Sequence, residues 1–102
     1  MMIKLIKLKE KFETFAKNRL AGAEKIIKNA KEKGGDALLT YNHFVVKPPY
    51  YKKAIDGKFD KEEATKEFNE IYKKISLNMT QTEFQKEVGR LEVLGELLIR
   101  EK

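Results

Sequence analysis

Residues 3–33 place apolar side chains in a pattern that only a long helix can use. Leu5, Leu8, Phe12 and Phe15 recur at intervals of three and four, and the stripe continues as Ala16, Leu20, Ala23, Ile27 and Ala30. A helix turns once every 3.6 residues, so a stripe followed over many turns drifts sideways in this way. Gly34-Gly35 closes the segment with residues that accept left-handed backbone at little cost. An element of this length, in a chain of 102 residues, commits the rest to an elongated helical bundle. Within it, Ala21-Gly22-Ala23 removes side-chain bulk for most of a turn, which would let another helix approach closely. A kink is the competing reading, since glycine costs about 1 kcal/mol of helix propensity relative to alanine.

The remaining elements are shorter. Asp36 stands where an N-cap belongs, ahead of ALLTYNHFVV. Read as a helix over 36–46, that stretch puts Leu38, Tyr41 and Val45 on one side and Leu39, His43 and Val46 on the next. A hairpin joined at Asn42-His43 competes, because Tyr, Phe, Thr and Val favour strands. His is poor in a two-residue turn, and an isolated hairpin is marginal, so helix is favoured. Lys47-Pro48-Pro49 is expected to stop the element, since the ring disfavours α geometry in the residue before it. Pro49 can then open a short helix over 49–55, closed by Asp56-Gly57. Asp60 with Glu63 forms a capping-box start to a helix over 61–76, whose stripe is Ala64, Phe68, Ile71, Tyr72 and Ile75. Residues 76–79 form the next turn. Thr80 with Glu83 repeats the capping box and opens the last helix over 80–101. The expected fold is therefore all-α, a single domain over 1–102 with three main helices and one or two short ones between them.

Charge is distributed unevenly. Residues 1–35 hold nine Lys and one Arg against four Glu, a net +6, and the rest of the chain cancels to zero. A basic half suits a phosphate-bearing or acidic partner, although a lysine-rich solvated face explains it as well. The abundance of Lys and Glu with no Cys fits a heat-adapted source, and biased genome usage would look the same. The absence of cysteine removes a disulfide framework and thiolate metal sites. No apolar run approaches a membrane span, and lysines interrupt the opening MMIKLIKLK, which argues against a secretory signal. An intracellular, cytoplasmic setting is the resulting expectation.

No motif fixes a reaction. Residues 56–63 resemble the second half of an EF-hand loop, but the first two ligand positions would be Lys52 and Ala54, and a lysine repels calcium. His43, the only histidine, has Val46 and Lys47 at the helical spacings where metal ligands would stand. It reads better as a half-buried, hydrogen-bonded side chain. The only serine, Ser76, lacks a nucleophile elbow, and Glu-x-x-His pairs for a di-metal bundle are missing. The pattern points to no enzyme, no cofactor and no metal.

Two features point to partners. Leu91, Val93, Leu94, Leu97, Leu98 and Ile99 cover more than one stripe of the last helix, which is then either central in the bundle or buried on a second side by a partner. Aromatics crowd residues 40–53. The leading expectation is a non-enzymatic, self-associating protein–protein interaction module, with Tyr41, Phe44, Tyr50, Tyr51, Val93 and Leu97 as the partner site. The alternative is a nucleic-acid-associated protein using Lys4, Lys7, Lys11, Lys25 and Lys28 of the first helix.

Overall fold

The computed structural model describes the backbone of residues 2–75 and 79–101 and the side chains of residues 11–75 and 79–100. The turn expected over 76–79 therefore lies, Met79 apart, outside the described residues. Five helical segments follow one another: α1 (Met2–Lys33), α2 (Ala37–Val45), α3 (Pro48–Ile55), α4 (Lys61–Lys74) and α5 (Gln81–Glu101). No strand occurs among the described residues.

The end of α1 is set by its glycines. Gly34 and Gly35 have φ of 64° and 55°, and the Gly34 N–H donates to the Ala30 carbonyl at 3.0 Å. Asp36 does not act as the cap expected of it. It lies in right-handed helical geometry and makes no side-chain cap bond. The two glycines already turn the chain, and their carbonyls accept directly from the Ala37 and Leu38 N–H groups at 3.1 and 3.0 Å. The caps of α4 and α5 form as the sequence indicates. Asp60, in extended geometry, accepts from the Glu62 and Glu63 N–H groups. Thr80 and Glu83 exchange reciprocal side-chain to backbone bonds.

The contested stretch is helical, and the prolines bend it without stopping it. Val46 and Lys47 both keep right-handed helical geometry, Lys47 at φ −77° and ψ −40°. Lys47 donates to the Phe44 carbonyl, and its own carbonyl accepts from Tyr50 at 3.0 Å. Proline is tolerated in the first turn of a helix, where its missing N–H would have no partner. Pro48 and Pro49 occupy that first turn in α3. Thus α2 and α3 form one bent helix, and the bundle has four helices.

The molecule is flat, with extents of 50 × 32 × 16 Å. On one side α1 packs against α2 and α3, and on the other α4 packs against α5, while α5 also reaches α1, α2 and α3. The apolar excess of α5 is thereby explained: it is the central helix. Among the described residues, its Val93, Leu94 and Leu97 are the largest side chains to be completely buried. Val93 and Leu97 cluster with Ala16 and Ala23 of α1 and with Tyr51 and Ala54 of α3. Leu94 joins Ala64 and Ile71 of α4.

Of the small residues of α1 expected to allow a close helix approach, Ala23 packs into the core and Gly22 does not. Gly22 is exposed, a Cβ there would meet nothing within 4 Å, and α1 runs unbroken through it. Gly89 of α5 is the tight point instead. A Cβ on it would lie 2.0 Å from the His43 carbonyl oxygen of α2 and 2.9 Å from Val46 Cγ2.

Candidate binding cleft

The contact at Gly89 sets the register of the bent helix along α5. With His43 beside Gly89, the next turns bring Lys47 to Glu92 and Tyr51 to Glu96, so two carboxylates one turn apart face the inner side of the bend. Where α1 passes alongside, a cleft of about 220 Å³ remains, bordered by Arg19 and Ile26 of α1, Phe44 and Lys47 of the bent helix, and Glu92 and Glu96 of α5.

Lys47 is its most unusual member. Its side chain is only 3 % exposed, and the ammonium meets the Glu92 carboxylate while lying 4.2 Å from the Phe44 ring centroid. A buried ammonium is costly unless paired, and the quadrupole of an aromatic face adds to the attraction. The second oxygen of Glu92 lies 3.0 Å from His43 Nε2. Burial alone would raise the Glu92 carboxyl, but the hydrogen bond and charge of Lys47, with His43 behind them, outweigh it and hold the carboxyl below its ordinary range. His43 is thus half-buried and hydrogen-bonded, with a partner on another helix.

One turn further on, Glu96 accepts from the Tyr51 hydroxyl at 2.7 Å and lies 3.5 Å from Arg19 Nε. This fastens α3, α5 and α1 together. On the far side of the bend, the Tyr50 hydroxyl donates to Glu67 of α4 at 2.6 Å. Both phenols are pushed well above their usual range, first by burial and then by the carboxylate each one faces.

Those phenols make a testable pair. Because their folded pKa values are raised, the stability they contribute is complete below the unfolded phenol value of about 10 and is lost as pH rises beyond it. Followed by phenolate absorbance, Tyr50 and Tyr51 are expected to ionise above the ordinary phenol range and together with unfolding. The Tyr50→Phe/Tyr51→Phe variant should lack that late step; a late step of unchanged size would refute the assignment.

Chemically the cleft is a set of latches. No buried side-chain nitrogen or oxygen among the described residues lacks a partner, and no group of three His, Cys, Asp or Glu side chains among them is placed to hold a metal ion.

The residues expected to form a partner groove are not brought together on the surface. Tyr51, Val93 and Leu97 are at most 2 % exposed, inside the core. Tyr41, Phe44 and Tyr50 are half-buried, Phe44 beneath Lys47 in the cleft and Tyr50 turned toward α4. The reason is the central position of α5, whose neighbours cover Val93, Leu94 and Leu97, while Ile99 near its end stays exposed. Lys11, Lys25 and Lys28 are exposed on α1; Lys4 and Lys7 belong to the part of α1 whose side chains are not described. Glu92, Glu96, Glu67, Arg19 and Gly89 escaped the sequence reading. The available signal was the i, i+4 pair of glutamates inside the apolar LEVLGELL. Solvated acids would not be expected on a face that the apolar pattern marks as buried.

The chain matches no protein-family model, no curated protein and no solved structure.

Proposed function

We propose that this chain is a non-enzymatic helical interaction module that pairs with a second copy of itself. The observation that carries the reading is exposed apolar surface: among the described residues Leu38, Leu39, Tyr72, Phe84 and Ile99 are each at least 40 % exposed. The thin core agrees, since among the described residues α1 contributes only alanines to its fully buried part. The non-enzymatic reading is supported by the bent helix, where His43, Lys47, Tyr50 and Tyr51 are each engaged by a structural carboxylate.

Leu38 and Leu39 of α2, 48 % and 42 % exposed, are adjacent large apolar side chains at the open end of the bent helix and mark the pairing face. Size-exclusion chromatography with light scattering is expected to give twice the chain mass. Leu38→Glu/Leu39→Glu should yield a monomer with unchanged helical circular dichroism. A strict monomer of the unsubstituted chain at high concentration would overturn the reading.

A further inference from the structure

We infer that the outward side of α1 is a binding surface for the phosphate backbone of double-stranded nucleic acid. The net charge of the whole chain, +6, is carried by residues 1–35, and α1 contains every charged side chain of that segment. α1 buries Ala16, Ala23 and Ala30 toward α2 and α3. On the opposite side Lys11, Asn18 and Lys25 follow at seven-residue intervals with Lys28 beside them, and all four are exposed. None of the ion pairs among the described residues uses a lysine of α1; the single lysine engaged is Lys47. The charges on this row therefore face solvent undiminished.

Most of the interleaved acids lie off it. At about 100° per residue, Glu13 and Glu24 lie roughly 130° around the helix from the Lys11–Asn18–Lys25 row. Lys28, at its edge, has Glu24 and Glu32 one turn to either side. From Lys11 to Lys28 the row is about 26 Å long at 1.5 Å per residue. Over that length a duplex presents about fifteen phosphates, one per 1.7 Å of axis. These phosphates are spread around the whole circumference, so the row meets only those on the facing side, and the contact is sequence-independent.

The same row selects among polyanions. It carries no aromatic side chain on which a splayed base could stack, so the regular phosphate rows of a duplex fit it better than a single strand. The outward line between Lys11 and Lys28 holds Thr14, Asn18, Ala21 and Gly22, with no large apolar residue to enter a bilayer, so a membrane surface fits less well. Lysine is a point charge without the bidentate fork that reads guanine, which again indicates backbone binding. This inference does not rest on self-pairing, which concerns α2.

The test is binding of a fluorescent 20-base-pair DNA duplex to the full chain, followed by anisotropy from 50 to 200 mM salt. Binding should weaken as salt rises, and Lys11→Gln/Lys25→Gln/Lys28→Gln should flatten the log–log slope by about 2.7, at about 0.9 per phosphate contact. That difference corresponds to about 40-fold in affinity over this salt range. Lys66→Gln/Lys73→Gln/Lys74→Gln removes the same charge from exposed positions of α4 and should leave the slope unchanged. The inference is overturned by no binding at 50 mM salt or by equal losses in the two triple variants. Tighter binding to single-stranded DNA or to phosphatidylserine vesicles than to the duplex overturns it as well.

Discussion

Gly89→Ala is expected to destabilise the protein by about 3 kcal/mol or more, the upper end of what overpacking a core costs. In a domain of this size that lowers Tm by on the order of 15 °C, a large part of a total stability of about 5–15 kcal/mol. The added Cβ would sit 2.0 Å from the His43 carbonyl oxygen, with Val46 Cγ2 at 2.9 Å. A side chain in the way can change rotamer, but a helix carbonyl cannot, so α2 and α5 must move apart. That movement also lengthens the Glu92 contacts to His43 and Lys47, which depend on the same register. Gly22→Ala is the matched control. It too adds a methyl group inside a helix, yet meets nothing within 4 Å, and should gain up to about 1 kcal/mol from helix propensity. Thermal unfolding of the two variants beside the parent decides the matter. Equal melting temperatures for Gly89→Ala and the parent would contradict the packing described.

The contrast between these glycines indicates what a sequence of this kind discloses. Periodicity reports which face of a helix is apolar, and α1, α4 and α5 were legible from it, although Tyr72, counted in the α4 stripe, is 70 % exposed. Local chemistry reports caps, and Asp60 and Thr80 were legible because each partner lies within three residues. Asp36 was misread because a preceding pair of glycines had already supplied the turn. A proline pair was misread as a stop because the bias against α geometry before proline is modest, and the buried contacts of Lys47 outweigh it. Gly22 and Gly89 look alike in sequence, and only the three-dimensional register decides which one meets a neighbouring backbone. His43 and Lys47 find Glu92 at separations of 49 and 45 residues, beyond the reach of spacing rules. The cleft was thus the least legible part of the molecule, although its aromatic border was visible as a crowd of unusual residues.

Breaking the latch at Glu92 is the second large effect expected. Replacing one member of a fully buried ion pair costs about 3–5 kcal/mol. Glu92 is half exposed, so water partly compensates and the expected cost of Glu92→Ala is about 2 kcal/mol after that screening. The loss arises at Lys47, whose ammonium keeps the Phe44 ring but has no anion in contact. Lys47→Met should cost less, because it removes the buried charge along with its partner's role and leaves Glu92 free to solvate. Protonation should mimic the glutamate substitution. The Glu92 carboxyl is held below its ordinary value near 4.5, so the stability it contributes is complete above that value and disappears as pH falls through the lower, folded one. Denaturant unfolding from pH 7 to pH 3 should therefore show parent and Glu92→Gln well separated at neutral pH and converging in acid. A separation that stays constant down to pH 3 would mean that the Lys47–Glu92 charge pair does not hold the bent helix to α5.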